Sequence, residues 1–245
     1  MPRPIQTHPI DREALQIHTE RRVGIGTWSL NDGVERAKLS CFEHRENFAT
    51  NPIIFGKKMA ITPTTSIPLG FAAPAFQLPD AISGETLDSN ALFEGGPTVV
   101  VFMCNHCPFV IHLLKAFVDV ADEYQAKGVN FIAISSNNTA THPQDGFPEM
   151  GRLAEQYGMP FPYLYDESQA VARAYDAACT PDFSIFDAEN RCAYRGQFDG
   201  SRPGNKIPIT GEDVRTALDL LLAGQKVPVE GQIPSIGCNV KWKED

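Results

Sequence analysis

The feature that most constrains this chain is an apolar run that ends at two cysteines and continues into a helical pattern. The run reads Val-Val-Val-Phe-Met, which is typical of a strand buried on both faces. Cys104 and Cys107 follow, and after Pro108 apolar residues recur at the spacing of one helix face. A proline suits the first turn of a helix, where a backbone N–H has no partner within the helix. The pattern therefore predicts a buried strand over 98–103, a turn that carries both cysteines, and a helix over 108–127.

The position of Cys107, directly before this helix, predicts a reactive thiol. The unpaired backbone N–H groups and the positive end of the helix dipole would lie beside its sulfur. Such a setting lowers the pKa of a cysteine from about 8.5 into the range of roughly 3.5–7.5. Because the thiolate is the reactive form, a redox or nucleophilic cysteine is expected here.

The patterns further along the chain predict an α/β domain. A second apolar run over 130–136 follows the helix, and two buried strands joined by a helix form a right-handed crossover with parallel strands. Further elements are predicted by the same criteria. They are helices at 148–158, 168–175 and 211–224, a short strand at 161–165, and an antiparallel hairpin that ends with 193–198.

The strand, the cysteine turn and the helix together resemble the active-site region of the thioredoxin superfamily. In thioredoxins the nucleophilic cysteine follows a strand-end phenylalanine by five residues, and counting from Phe102 gives Cys107. The second cysteine of the thioredoxin motif would stand at Val110, which cannot do that work. In peroxiredoxins a threonine stands three residues before the peroxidatic cysteine, and here that position holds Cys104.

Thr180-Pro181 carries the second part of the resemblance. Thioredoxins place a cis-proline, preceded by Thr or Val, at the start of the strand that faces the active cysteine. The resemblance implies a cis bond here, and a preceding backbone that can pair with a substrate chain as an added strand would. The gap between Cys107 and Pro181 is longer than in a minimal thioredoxin. It is similar to the peroxiredoxin and cytochrome-maturation branches, which insert a strand and a helix there.

The resemblance covers about residues 68–225 and implies a thioredoxin-like fold. A central mixed sheet flanked by helices is expected, with an N-terminal β extension and an inserted βα unit. The most similar group is the peroxiredoxin-like branch that contains alkyl hydroperoxide reductase and thiol-specific antioxidant proteins.

The resemblance also implies roles for the residues around Cys107. A side chain three residues before a peroxidatic cysteine points at its sulfur, so Cys104 is expected to resolve an intermediate on Cys107. The alternative is a buried, inert thiol at the end of a strand. His106 is either a general base or a cation beside the thiolate, or a bulky surface residue where thioredoxins carry Trp, and the surface role is favoured.

A metal site and redox roles for the remaining cysteines are also considered. Three ligands as close in sequence as Cys104, His106 and Cys107 suit tetrahedral zinc poorly, so no metal is expected. The thiol chemistry expected here needs no organic cofactor. Cys179 lies near the active face and is a candidate third redox partner, whereas Cys192 is expected to be inert. Cys238 could fold back as a resolving thiol, but a structurally inert tail is favoured.

These features predict a thiol–disulfide oxidoreductase or antioxidant protein with Cys107 as the nucleophile. Its partners would be a protein or small-molecule disulfide or a peroxide, and a thioredoxin- or glutathione-type reductant. Thr180 stands where peroxiredoxins carry an activating Arg, which disfavours peroxide reduction unless Arg195 or Arg202 approaches. The alternatives are a thiol peroxidase, or a non-catalytic module that binds a protein in the groove beside Pro181.

Charge and hydropathy predict the cellular compartment of the protein and the limits of its domain. A net charge of −9 argues against nucleic acid or an anionic membrane as partner, and no apolar run is long enough to cross a membrane, so a cytoplasmic protein is expected. Residues 1–58 carry a net charge of +2 and lack periodicity, which predicts a disordered leader or a start codon assigned upstream of Met59. No apolar region follows Arg21-Arg22, so a signal peptide is rejected. The domain is predicted over 59–225 and a tail over 226–245.

Overall fold

The computed structural model describes residues 61–65 and 67–244, which all belong to one unit, Ile54–Asp245. The predicted leader and Cys41 lie outside the described residues. Within the described part, fifteen helices and strands follow one another. In chain order they are β1 (Ile61–Pro63), β2 (Gln77–Pro79), β3 (Thr86–Asp88), α1 (Ser89–Leu92), β4 (Thr98–Phe102), α2 (Pro108–Gln125), β5 (Asn130–Ser135), α3 (Phe147–Tyr157), β6 (Tyr163–Tyr165), α4 (Ala170–Ala174), β7 (Cys179–Thr180), β8 (Asp182–Phe186), β9 (Cys192–Gly196), α5 (Glu212–Leu222) and β10 (Ile236–Asn239).

A five-stranded mixed sheet forms the centre of the fold, in the order β6-β5-β4-β8-β9. β4 is the central strand. It pairs in parallel with β5, as the crossover pattern predicts, and antiparallel with β8. All five residues of β4 are buried. The structure confirms the predicted thioredoxin-like α/β fold with a mixed central sheet.

Two apolar layers cover the faces of this sheet. Successive residues of a strand point to opposite faces, so Val99 and Val101 join the core on the side of α2, α3 and α5. Val100 and Phe102 join a second core that contains Phe76, together with residues of α4 and β8. Burial of each such side chain contributes about 1.5–3 kcal/mol to folding, so the two layers fix the end of β4 from both sides.

Other elements fill the positions that the resemblance implied. β2 and β3 form an antiparallel hairpin, which is the predicted N-terminal β extension. Between α2 and Pro181 the chain adds β5, α3, β6 and α4. None of the helices in the described part of the chain is both long enough and apolar enough to span a membrane.

The segment predicted as an inert tail contains a strand instead. β10 lies between β1 and β7 in a second, three-stranded sheet, with Cys238 opposite Thr180 in the register. The short strand includes Gly237 and shows no alternation of apolar and polar residues, so its sequence carries no strand pattern. Its pairing brings the C-terminal segment onto the active face.

Candidate redox site

Cys107 is the N-cap residue of α2, and Pro108 occupies the first turn as predicted. Its backbone is extended, and its carbonyl oxygen accepts the hydrogen bond from the N–H of Ile111. The turn from β4 to α2 thus holds Cys107 at the start of the helix and Cys104 at the end of the strand. Both side chains are buried, with 0% and 1% of their residue surfaces exposed.

Thr180 contacts both of these cysteines. Cys107 Sγ lies 3.0 Å from the Thr180 carbonyl oxygen, and Cys104 Sγ lies 3.5 Å from Thr180 Oγ1. The Thr180–Pro181 bond is cis, as the resemblance implied. The structure therefore brings together Cys104, Cys107, Thr180 and Pro181, four of the five site residues predicted from the sequence.

Cys238 is an additional thiol at this site. Its Sγ lies 3.1 Å from Cys107 Sγ, and the residue is buried. No pattern in the sequence connects positions 107 and 238, because the contact depends on the pairing of β10 with β7. A cysteine after a glycine in the C-terminal segment was the only available signal.

The hydrogen bonds among these thiols shift the pKa of Cys107 in the opposite direction to those of its neighbours. The hydrogen bond with Cys104, then that with Cys238, holds the pKa of Cys107 well below its ordinary value, against the opposing effect of burial. The Val110 N–H in the first turn of α2 acts in the same direction. The hydrogen bond to Cys107 and burial raise the pKa of both Cys104 and Cys238. The site can therefore hold one thiolate flanked by two thiols.

His106, the fifth predicted residue, is held by Asp145. The two groups are 2.7 Å apart, and the fully buried carboxylate also accepts hydrogen bonds from the Asn105 N–H and Asn137 Nδ2, each at 2.9 Å. The His106 side chain is 22% exposed and stacks on His142. Asp145 was missed by the sequence analysis, because the polar loop that carries it has no recognisable motif.

Cys104, His106 and Asp145 also form the group of described residues whose atoms are close enough to share a metal ion, within 4.8 Å of one another. Cys104 Sγ lies 3.7 Å from His106 Nδ1. The Asp145 carboxylate accepts three hydrogen bonds, so in this structure the group is a satisfied hydrogen-bond network.

Both the sequence and the fold of this chain are similar to those of known proteins. The sequence profile of the AhpC/TSA family matches residues 69–198, more than half of the chain. The chain belongs to the AhpC/TSA family. The peroxiredoxin-like resemblance drawn from the cysteine turn and Thr180-Pro181 is thereby confirmed, and membership supports a thiol-dependent redox function.

Two solved structures are similar to this AhpC/TSA protein over most of its length. An uncharacterized conserved protein from Geobacillus kaustophilus is 51% identical, with a TM-score of 0.75, over 77% of this chain and 100% of its own. A hypothetical protein from Sinorhizobium meliloti is 43% identical, with a TM-score of 0.73, over 75% of this chain and 100% of its own. Peroxidoxin BcpB from Mycobacterium tuberculosis, at 18% identity and a TM-score of 0.50 over 65% and 98%, shares the fold. A search of curated proteins gave no significant match.

The two arginines considered as peroxide-activating groups are engaged elsewhere in this AhpC/TSA protein. Arg195 donates to the carbonyl oxygens of Tyr175 and Asp176, at 2.8 and 2.7 Å. Arg202 donates to the carbonyl oxygens of Asp199 and Ser201, each at 2.6 Å. Both guanidinium groups are therefore held on backbone oxygens rather than on Cys107.

The other two described cysteines differ from the thiols of the site. Cys179 Sγ lies 3.7 Å from Thr64 Oγ1, and burial raises the pKa of this thiol. Cys192 is buried in the second core, and burial raises its pKa to about 12. Neither environment favours a reactive thiolate.

Proposed function

We propose that this AhpC/TSA protein is a thiol–disulfide oxidoreductase in which Cys107 is the nucleophile and Cys104 resolves the mixed disulfide. The observation that carries the proposal is the position of Cys107, the N-cap residue of α2, whose sulfur lies 3.1 Å from the Cys238 sulfur and 3.0 Å from the Thr180 carbonyl oxygen. Its hydrogen bonds with Cys104 and Cys238 lower its pKa, whereas the pKa of Cys104 is raised. Thiolate fraction decides which cysteine attacks a disulfide.

The reaction proceeds in two balanced steps. The Cys107 thiolate attacks one sulfur of a disulfide, and the other sulfur leaves as a thiolate. Once Cys107 is in a mixed disulfide, Cys104 loses the neighbouring charge and hydrogen bond that raise its pKa. Cys104 then gives its proton to a departing thiolate and attacks Cys107 Sγ, which releases the second substrate thiol and leaves a Cys104–Cys107 disulfide. A thioredoxin- or glutathione-type thiol donor returns the two electrons.

His106 serves this reaction as a positioning residue. Its Nδ1 lies 2.7 Å from the Asp145 carboxylate, so the proton on that nitrogen is directed to Asp145. Nδ1 is then unable to accept the proton of Cys104, although it lies 3.7 Å from the sulfur. The hydrogen bond between His106 and Asp145 instead anchors the cysteine turn to the loop that carries Asp145.

Two alternative functions, a non-catalytic binding module and a thiol peroxidase, are less well supported. A non-catalytic binding module has no need of a lowered pKa at Cys107. Family membership favours a thiol peroxidase, but Cys104 and Thr180 occupy the positions where peroxiredoxins carry the activating Thr and Arg. We place the protein in the cytoplasm, where a thioredoxin- or glutathione-type donor can return Cys104 and Cys107 to the reduced state.

Trapping the mixed disulfide tests the proposal. The full chain carries Cys41→Ser and Cys238→Ser, so that Cys104 is the remaining thiol among the described residues that is hydrogen-bonded to Cys107. After oxidised glutathione is added, this chain should form a Cys104–Cys107 disulfide, and Cys104→Ser should instead accumulate a glutathione adduct on Cys107, read by mass spectrometry. Adduct formation at another cysteine, or none in the Cys104→Ser chain, would contradict the proposal.

A further inference from the structure

β10 occupies the edge of β7 that precedes the cis-proline. It pairs antiparallel with β7, with Cys238 opposite Thr180 and Asn239 opposite Cys179. This is the edge at which a substrate chain would add as a strand. The approach is close, since a Cβ atom on Gly237 would lie 2.0 Å from the Thr180 carbonyl oxygen. Glycine at this position is therefore what allows the protein's own C-terminal segment to fill the edge.

Hydrogen bonds on both sides of Cys238 hold the strand in place. Before it, the Ser235 carbonyl oxygen accepts from the Thr64 N–H at 2.8 Å, and Ser235 Oγ donates to the Gly196 carbonyl oxygen at 2.5 Å. After it, the Lys241 N–H donates to Asn137 Oδ1 at 2.8 Å. The position of Cys238 is thus determined from both ends of the segment.

The sulfur of Cys238 is close enough to react with Cys107. The two sulfur atoms lie 3.1 Å apart, whereas a disulfide bond is about 2.05 Å long, so that a shift of about 1 Å would form the bond. Both residues are buried and adjacent, so Cys238 is already beside the Cys107 sulfur when an intermediate forms, whereas a free thiol must first enter the site. An internal thiol held at this distance competes with any free thiol at an effective concentration on the order of mM or more.

We propose that Cys238 is a second resolving thiol of this site, supplied by the C-terminal strand. The inference rests on the proposed function, in which Cys107 first forms a mixed disulfide with the substrate. Cys238 then attacks Cys107 Sγ, the bond between Cys107 and the substrate sulfur breaks, and the departing thiolate takes up the Cys238 proton. The product is a Cys107–Cys238 disulfide. The substrate disulfide has gained two electrons, and a dithiol donor reduces the protein again.

The chemistry of the filled edge also indicates a substrate class. A polypeptide disulfide that adds as a strand would have to displace β10, which is paired on both sides, with β1 and with β7. A low-molecular-weight disulfide such as oxidised glutathione needs no strand pairing. Cys107 and Cys238 together therefore suit a small disulfide as oxidant.

The test compares variants of the full chain that all carry Cys41→Ser. Each is treated with oxidised glutathione, quenched in acid, alkylated, digested without reduction and mapped by mass spectrometry. The Cys104→Ser chain should form a Cys107–Cys238 cross-link, and its glutathione adduct should decay roughly tenfold or more faster than in the Cys104→Ser/Cys238→Ser chain. A Cys104→Ser/Cys179→Ser chain is the matched control, because it loses an equally buried thiol and should keep the cross-link.

The outcomes separate the two proposals. A stable adduct on Cys107 in the Cys104→Ser chain, with Cys238 alkylated as a free thiol, would overturn the role of Cys238 and leave the proposed function standing. An unmodified Cys107 in the Cys104→Ser/Cys238→Ser chain would contradict the proposed function and this inference with it. Circular dichroism of each variant verifies that it is folded, and Cys238→Ala repeats the measurement without a hydroxyl group.

Discussion

At the scale of single residues, Cys107 differs from its neighbours in the direction of its pKa shift. Hydrogen bonds with Cys104 and Cys238 lower the pKa of Cys107, whereas the pKa values of Cys104, Cys179 and Cys238 are raised. Burial alone would have raised all four. The reactivity that we propose for Cys107 therefore depends on the cluster as much as on the helix N-terminus.

Replacing Cys104 should shift the pH dependence of Cys107 alkylation. A thiolate exists above its pKa, so a lowered pKa gives an alkylation rate that is already at its plateau at neutral pH and decreases only in acid. Cys104→Ala removes the hydrogen bond that contributes most, so the midpoint should rise toward the ordinary value of about 8.5. Iodoacetamide labelling of the Cys41→Ser chain, resolved by cysteine, measures this midpoint. Cys192→Ser should leave it in place, and a midpoint near that of a free cysteine in the parent chain would contradict the account.

At the scale of elements, the strand β10 links the C-terminal segment to the site, and Gly237 is the residue that permits this. In Gly237→Ala the new methyl group would lie 2.0 Å from a backbone oxygen, so β10 must move away from β7. Overpacking of this kind costs about 1–3 kcal/mol. We expect lower thermal stability and loss of the Cys107–Cys238 cross-link, while the Cys104–Cys107 disulfide still forms.

Gly200→Ala is the control for this substitution, because its Cβ would meet only Ile207 Cδ1, at 3.8 Å. Thermal unfolding and non-reducing peptide maps of the two variants are compared. An undiminished Cys107–Cys238 cross-link in Gly237→Ala would show that the close approach of β10 to Thr180 is unnecessary.

An element could be predicted from the sequence where its pattern of residues lies within one short segment. β4 and α2 could be predicted because an apolar run, a proline and a helical spacing lie within about thirty residues of one another. These two elements determine the position of Cys107, which lies between them. β10 and Asp145 depend on contacts with residues far away in the sequence, and neither lies in a periodic segment. The position of Cys107 at the start of α2 was therefore predictable, whereas the contact with Cys238 and the anchor of His106 were not.

At the scale of the whole molecule, the proposed limits of the domain can be tested by truncation. A chain that begins at Met59 keeps β1, and we expect it to unfold at the same temperature as the full chain. A chain that begins at Ile67 also loses Thr64, whose Oγ1 donates to buried Asp182 at 2.5 Å, and should unfold at a lower temperature. Differential scanning calorimetry compares the three chains. A lower unfolding temperature for the Met59 chain would mean that residues 1–58 contribute to the stability of the domain.

The proposed site favours a disulfide over a peroxide as the oxidant. Thiol–disulfide exchange needs a thiolate and a resolving thiol, and we propose Cys107, whose pKa is lowered, and the adjacent Cys104 for these roles. The resemblance to peroxiredoxins implies that Cys104 and Thr180 stand where those proteins carry the Thr and Arg used in peroxide reduction. Arg195 and Arg202 bind backbone oxygens here.

The most direct test of this choice is a stopped-flow comparison of oxidised glutathione and hydrogen peroxide at neutral pH. Trp28→Phe leaves Trp242, four residues from Cys238, as the single tryptophan reporter. We expect a larger second-order rate constant with the disulfide than with peroxide, and loss of both signals in Cys107→Ser. Faster oxidation by peroxide than by the disulfide, unchanged by Cys104→Ser, would contradict the account and identify the protein as a thiol peroxidase.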